Sequence, residues 1–182
     1  MGIVHPGSEL TPTKAELLAD WLPRQSWWPH GADVPDFTAN FRFDDPAGEV
    51  GIETFLLPVG DDVVQVPLTY RSAPLEDGVL VGEMDHSALG PRWIYDGPSD
   101  PVYVAEVTRV IREGDSEVTM LRPDGTPIPR RPFTAAVRGS GTGGGNLQVA
   151  RILATETPDE ATGVLHATWA EQPEPRVLAW LT

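Results

Sequence analysis

The amino-acid sequence predicts an α+β fold, in which an antiparallel sheet carries one or two packed helices and continues into a β-rich C-terminal extension. Two segments repeat their apolar residues at helical spacing, whereas the segments between and after them alternate apolar and polar residues as strands do. Glycine (18 residues) and proline (19 residues) make up about a fifth of the chain, which favours short strands joined by many turns.

The first predicted helix covers residues 13–22. Thr13 and Glu16 have the spacing of a capping box, in which each side chain accepts a hydrogen bond from a free backbone N–H at the helix start. The apolar residues that follow fall on one helix face, and Pro23 ends the helix. The tryptophans after it, Trp27 and Trp28, are expected in an irregular, packed connection.

From about residue 37 the period of the pattern changes to two. In the clearest segment, apolar residues from Val64 to Tyr70 alternate with polar residues and Pro67, which predicts a strand with one buried face. Because Pro67 has no N–H to donate, this strand is expected at a sheet edge there. The predicted strands of this part are one that includes Phe41 and Phe43, and others at 49–58, 63–71, 79–82 and 92–96.

A second helix is predicted at about 100–113. Ser99 or Asp100 suits its N-cap, Pro101 suits its first turn, and Gly114 suits its exit. Beyond Gly114 only strands are predicted, at 117–122, 133–137, 147–154, 162–169 and 176–181. The predicted organisation is therefore an α+β unit at residues 1–113 and a hairpin-rich extension at residues 114–182, packed on the same domain.

Charge and composition exclude several classes of function. The formal net charge of -14 makes binding to nucleic acid or to an anionic membrane surface unfavourable. The absence of cysteine excludes disulfides, a thiolate zinc site and a cysteine nucleophile. Met1–Pro6 lacks the basic and apolar regions of a signal peptide, and no apolar run has the length of a membrane span, so a cytoplasmic location is expected.

Motifs for catalysis are weak, and no catalytic residue, metal site or cofactor is predicted. The glycine-rich run 139–145 precedes a strand-like segment, whereas a phosphate-binding loop precedes a helix, so a flexible hairpin loop is expected there. The four histidines, His5, His30, His86 and His166, have no partners at metal-binding spacing. Ser140 lacks the register of a nucleophile elbow.

Binding candidates are arginines and aromatic residues on the predicted strands. Arginine beside aromatic side chains either recognises a ligand or partner, or pairs with a carboxylate of its own chain such as Asp96 or Asp85. Internal pairing is favoured over a binding site. The candidate binding residues are Tyr70, Arg71, Arg92, Trp93, Tyr95 and Asp96 on the strands, with Trp27 and Trp28 after the first helix.

Four stretches of this sequence resemble the N-terminal cap domain of actinobacterial maltokinases and the stand-alone cap-like proteins of the same bacteria: Ala15–Pro23, Gly48–Glu53, Val66–Leu75 and Leu89–Pro101. The resemblance covers about residues 8–113. It implies a curved antiparallel sheet with a packed helix, cystatin-like in arrangement. It also implies that the cap sits on the ATP-binding lobe of a kinase. In such a kinase the catalytic residues belong to the lobes that follow the cap.

The sequence departs from the kinases in lacking their catalytic motifs. It has no His-x-Asp motif followed by Asn, and its single lysine is Lys14 on the first helix. The preferred hypothesis is therefore a non-catalytic binding or regulatory module, which docks a protein of maltose, trehalose or glycogen metabolism through its sheet or an Arg71/Arg92 face. The alternatives are an oligosaccharide binder that uses Trp27, Trp28 and Trp93, and an enzyme of unrecognised type. A homodimer formed by edge strands is compatible with either binding hypothesis.

Overall fold

A computed structural model describes residues 9–122 and 124–182, and in them the chain forms antiparallel strands and two α-helices. The helices are α1 (Lys14–Trp21) and α2 (Pro101–Glu113). The strands are β1 (Leu10–Thr11), β2 (Ala39–Asp44), β3 (Gly51–Val59), β4 (Asp62–Arg71), β5 (Leu80–His86), β6 (Gly90–Asp96), β7 (Ala136–Gly139), β8 (Leu147–Ala154), β9 (Gly163–Trp169) and β10 (Gln172–Leu181). The predicted α+β fold is confirmed. Met1–Pro6, on which the signal-peptide prediction rests, lies outside the described residues, as does His5 within it.

The helix ends are set by the predicted capping residues. The backbone N–H of Glu16 donates to Thr13 Oγ1 at 3.2 Å, and the N–H of Thr13 donates to Glu16 Oε2 at 2.8 Å, so the capping box of α1 is confirmed. At α2 the cap is Asp100, and Gly114 ends the helix in the left-handed conformation, with a φ of 65°. Neither helix of the described part has the length and apolar character that a membrane span requires.

Strand β4 is the branch point of the sheet. It pairs with β3 from Asp62 to Tyr70 on one side. Its other side is shared, since Leu68 pairs with Asp96 of β6 and Val64 pairs with Ile152 of β8. One branch continues as β6-β5-β1, and the other as β8-β10-β9-β7. The C-terminal strands are therefore joined to the N-terminal sheet by a backbone pair.

The longer branch curls until it returns to β2. Asn40 N–H donates to Phe133 O and Ala135 N–H donates to Asn40 O, both at 2.9 Å, so the segment that leads into β7 lies beside β2. Helix α2 packs against the inner surface of this curved sheet. The core between them contains Phe41, Phe43, Ile52, Leu56, Tyr103, Val107, Val110, Ile111, Ala135, Val137, Leu153, Leu165, Trp169, Leu178 and Leu181.

A second core lies between α1 and the opposite face of the sheet. It contains Leu18, Trp21, Leu22, Trp28, Phe55, Leu57, Val64, Val66, Leu68, Val81, Met84 and Ile94. Strands β3 and β4 lie between the two cores, so both of their faces are buried. The prediction of one buried and one wet face for the 63–71 strand is therefore wrong, because the segment from Gly97 to Asp100 and strands β8 and β10 cover the face that alternation assigned to solvent.

Two further sequence predictions differ from the structure. Residues 117–122 form no regular strand; Val118 N–H donates to Arg42 O, and only Leu121 is in an isolated bridge. The glycine-rich run is not a hairpin loop, because it connects β7 and β8, which are not neighbours in the sheet. At its start Gly139 passes against α2 so closely that a Cβ atom there would lie 2.0 Å from Val110 O.

Candidate functional site

Arg71, the first predicted binding residue, is held by the N-cap of α2. Its Nε and Nη2 donate to the two carboxylate oxygens of Asp100, each at 2.7 Å, in a bidentate pair. Thr69 Oγ1 donates to the same carboxylate at 2.7 Å, and Val102 N–H donates to it at 2.9 Å. Burial raises the pKa of Asp100, but the hydrogen bonds from Arg71, Thr69 and Val102 outweigh this and lower it overall. Arg71 therefore fixes β4 to the start of α2.

Asp96 is bound to Arg151 of β8, at an Nη2–Oδ2 distance of 2.5 Å. Among the described residues, Asp96 Oδ1 and Arg151 Nη1 are buried without a hydrogen-bond partner. Burial raises the pKa of Asp96, and the hydrogen bond and charge of Arg151 only partly oppose this. The guanidinium of Arg151 also lies over the ring of Trp27, 4.3 Å from its centroid. This cluster joins β6, β8 and the connection after α1.

Tyr70 belongs to a network that centres on Glu53, a carboxylate with only 4% of its surface exposed. Tyr70 Oη donates to Glu53 Oε2 at 3.1 Å, Arg42 Nη2 donates at 3.0 Å, and Asn40 Nδ2 donates to Oε1 at 3.1 Å. Lys14 Nζ donates as well, and it lies over the ring of Tyr70. Burial alone would raise the pKa of Glu53, but the charges of Arg42 and Lys14 lower it to about 2.

The Glu53 network was missed by sequence reasoning. Its members come from α1, β2, β3 and β4, and no local motif connects them. The one signal available in the sequence was Lys14, the single lysine, near the start of a helix whose apolar face packs on the sheet. The aliphatic part of a lysine side chain can lie along such a face and bring the ammonium group to the edge of the core. There the ammonium group of Lys14 binds the carboxylate of Glu53.

The docking-face hypothesis placed Arg71 and Arg92 on one surface, but the two side chains lie on opposite faces of the sheet. Arg71 pairs across the ladder with Trp93, so these two side chains lie on the same face. Arg92 precedes Trp93 and points to the opposite face, because successive side chains in a strand alternate. Arg92 Nη1 donates to Pro91 O at 2.8 Å. Arg71 and Arg92 therefore do not share a face.

The tryptophans are likewise not brought together. Trp28 is buried in the core beneath α1 and donates from Nε1 to Ala32 O at 3.1 Å. Trp27 packs edge-on against both Trp21 and Trp28, with ring centroids at 5.7 and 6.5 Å. Trp93 lies on the face of the sheet that is turned away from α1. A common platform of Trp27, Trp28 and Trp93 for a sugar is therefore not present.

Trp93 is half-buried at the centre of a mixed surface, which we call the Trp93 face. It consists of the side chains of β4, β5 and β6 on the side away from α1, namely Arg71, Leu80, Glu83 and Trp93. Leu80 has 45% of its surface exposed, and Glu83 is exposed. Tyr95 lies at the buried end of the same side, where its hydroxyl accepts a hydrogen bond from Leu75 N–H at 2.8 Å.

Two open grooves lie along α2. The larger, about 670 Å³, is lined mostly by apolar atoms between Pro98 and Glu113. The smaller, about 430 Å³, contains Arg109, which donates hydrogen bonds of 2.7–2.9 Å to Glu106 and Asp115. No group of three or more histidine, aspartate or glutamate residues in the described ranges is arranged to hold a metal ion. The conspicuous charges therefore serve contacts within the fold.

The fold and these contacts define an α+β protein whose curved antiparallel sheet is held to its helices by internal ion pairs. Residues 21–100 match the family model of the maltokinase N-terminal cap domain, a segment that spans somewhat under half of the chain. The match runs from the end of α1 to the cap of α2 and confirms the resemblance over that segment: residues 21–100 are similar to the maltokinase N-terminal cap domain. The matched family is a cap domain and not a catalytic kinase domain. No curated protein and no solved structure matches the chain.

Proposed function

We propose that this chain is a non-catalytic cap-like module that binds a partner protein of maltose, trehalose or glycogen metabolism. The observation that carries the proposal is the match of residues 21–100 to the N-terminal cap domain of maltokinases. The name of that family describes a cap domain of a kinase, which is a segment in contact with the rest of the kinase. We carry over to this chain only this property, namely contact with another protein or domain.

The arrangement of the buried charges supports a role in binding rather than in catalysis. The carboxylates of Glu53, Asp96 and Asp100 are each bound to a cation of their own chain. Catalytic carboxylates need an oxygen that a substrate can reach, whereas these carboxylates are buried and join helices and strands. Their ion pairs rigidify the sheet, and a rigid sheet loses little entropy when a partner docks on it.

The Trp93 face is the surface that we assign to docking. Tryptophan and arginine are enriched among the residues that dominate binding energy in interfaces, and here Trp93 lies directly between Arg71 and Glu83 on neighbouring strands. Arg71 is already oriented by Asp100, so its exposed part needs no ordering on binding. Leu80 adds exposed apolar area beside it.

The first experiment is affinity capture with the tagged full chain from native lysate, with quantification of the captured enzymes. The wild-type chain is expected to enrich an enzyme of maltose, trehalose or glycogen metabolism. Trp93→Ala is expected to weaken the capture at least tenfold, because a central tryptophan contributes about 2 kcal/mol or more to an interface. Arg92→Ala, on the opposite face, and Ile152→Ala, an exposed apolar residue of β8, are the matched controls and are expected to retain the capture.

Direct titration with the purified captured enzyme then gives the affinity. Equal capture by the wild-type chain and Trp93→Ala would refute the Trp93 face, and no enrichment of a glucan or maltose enzyme would refute the assignment to this metabolism. Incubation of the chain with ATP, magnesium and maltose is expected to yield no phosphorylated sugar; formation of that product would refute a non-catalytic role. Calorimetry with maltose, maltooligosaccharides and trehalose tests the oligosaccharide alternative, which a heat of binding without any protein partner would favour.

A further inference from the structure

The outer edge of β5 is unpaired over much of its length within the described residues. The short strand β1 pairs only with the end of β5, at Leu10 with His86 and at Thr11 with Asp85. The next position of this antiparallel ladder would bring Pro12 opposite Met84. Pro12 has no N–H to donate, and the chain turns there into α1. The edge from Leu80 to Met84 therefore has no partner strand in the described part of the chain.

The outer edges of β2 and β7 are covered by the chain itself. Strand β2 is bonded on its outer side by Phe133 and Ala135, and Arg42 O accepts from Val118 N–H at 3.0 Å. Strand β7 is covered by the segment after α2, where Gly139 N–H donates to Asp115 O at 3.0 Å. Exposed rows of backbone N–H and C=O groups are templates for another strand. Within the described ranges, β5 keeps such a template from Leu80 to Met84, whereas the edges of β2 and β7 are covered.

The surroundings of this edge are acidic and apolar. Glu76 and Asp77, in the loop before β5, and Glu83 and Asp85, on β5 itself, are exposed, and none of the four forms an ion pair with a described residue. Val79 and Leu80, at 47% and 45% exposure, provide apolar area at the start of the strand. The cation of the neighbouring strand, Arg92, lies on the opposite face. The edge is therefore negative and partly apolar.

We propose that the free edge of β5 accepts an extended basic segment of the partner protein as an added antiparallel strand. This inference rests on the proposed docking function and names how the partner is recognised. The backbone groups of Leu80–Met84 supply the hydrogen bonds, as in strand addition to other exposed sheet edges. Lysine or arginine at alternate positions of the added strand lies opposite Glu83 and beside Asp85 on the Trp93 face, and the apolar side chains between them lie on the other face, on the side of Met84 and α1.

A second copy of this chain is a poorer occupant of the same edge. Pairing β5 with β5 of another copy would place Glu83, Asp85 and the acidic loop of both copies on one joined sheet, where like charges repel. The ladder of β5 with β6 also shifts its register between Leu80 and Gly82, an irregularity that hinders regular pairing of identical edges. A basic segment neutralises these charges.

The test uses the full chain and a labelled peptide of about eight residues with alternating lysine and valine. Two control peptides are its acidic counterpart, with glutamate for lysine, and a form N-methylated on the edge-facing amides. Fluorescence anisotropy in about 150 mM salt is expected to show binding of the unmodified basic peptide, with at least tenfold weaker binding of both controls. Hydrogen–deuterium exchange is expected to show new protection at Leu80–Met84 when that peptide is added.

Charge reversal locates the site. The double variant Glu83→Lys/Asp85→Lys is expected to lose at least tenfold in peptide affinity, whereas Glu156→Lys/Asp159→Lys, the same charge change in an exposed loop, is expected to bind as wild type. Equal weakening by both variants, equal binding of the N-methylated peptide, or unchanged exchange at β5 would overturn strand addition. A concentration-dependent dimer in ultracentrifugation that Leu80→Lys disperses would assign the edge to a second copy instead.

The outcomes separate this inference from the docking function on which it rests. A captured partner that is lost with Trp93→Ala but retained by Glu83→Lys/Asp85→Lys would refute the added strand and leave the docking function standing. The peptide could bind and protect Leu80–Met84 from exchange while no enzyme is captured from the lysate. That result would support strand addition at β5 and contradict the proposed class of partner.

Discussion

Replacement of Glu53 by glutamine is the sharpest test of how the N-terminal helix is held to the sheet. Glutamine preserves the size of the side chain but removes the charge that binds Lys14 and Arg42. The pKa of Glu53 is lowered from 4.5 to about 2, and at about 1.4 kcal/mol per pKa unit this corresponds to about 3 kcal/mol of folding free energy at neutral pH. We therefore expect Glu53→Gln to lose about 3 kcal/mol at pH 7.

The loss of folding free energy in Glu53→Gln is expected to become smaller as pH falls. Because the folded pKa of Glu53 lies below its unfolded value, the ionised carboxylate stabilises the fold fully above about pH 5, and this contribution disappears as pH falls toward 2. The difference between wild type and Glu53→Gln is therefore expected to shrink to roughly 1.4 kcal/mol near pH 3.

Urea unfolding at pH 7, 5, 4 and 3, followed by far-UV circular dichroism, measures both quantities. Glu49→Gln is the matched control, since Glu49 is an exposed glutamate in the turn before β3 and its substitution is expected to change stability by less than about 0.5 kcal/mol. A loss below about 1 kcal/mol for Glu53→Gln at pH 7, or a loss that stays constant down to pH 3, would refute this account of the network.

Two further substitutions test the contacts of α2. Gly139→Ala is expected to lose about 3 kcal/mol in urea unfolding, because its Cβ would lie 2.0 Å from the backbone oxygen of Val110; Gly144→Ala, with no atom within 4 Å, is the control, and equal effects would contradict the close approach. Asp100→Asn is expected to lose about 2 kcal/mol and to lower Tm by about 4–8 °C, since the Arg71 pair loses its charge, whereas an unchanged Tm would show that Arg71 contributes little.

The local elements of the fold were predictable because their signals are local. The capping box at Thr13 and the Asp100–Gly114 bounds of α2 depend on residues within one or two helical turns. The segment 117–122 was predicted as a strand from its alternation but forms none, because a strand also needs a partner. Alternation of apolar and polar residues shows which side chains suit a strand. It does not show whether a neighbouring strand is present to form the backbone hydrogen bonds.

The candidate site was only partly predictable. Internal pairing of Arg71 was favoured from the sequence and is present, but its partner is Asp100, whereas the named candidates were Asp96 and Asp85. Asp96 instead binds Arg151, from a part of the chain that the resemblance does not reach. The choice between these partners depends on which strands meet at β4, and that is a property of the whole sheet.

The sequence by itself determined the α+β class, the two helices with their caps, most strand positions and the resemblance to the maltokinase N-terminal cap, since these follow from periodicity, turn residues and similarity along the chain. Only the tertiary structure decided that β8 pairs with β4, that Arg71 and Arg92 lie on opposite faces, and that Lys14 and Arg42 enclose Glu53. The physical reason is that ladder register and charge pairing join residues far apart in the chain, and their free energy depends on burial that exists only after the sheet has curved around α2.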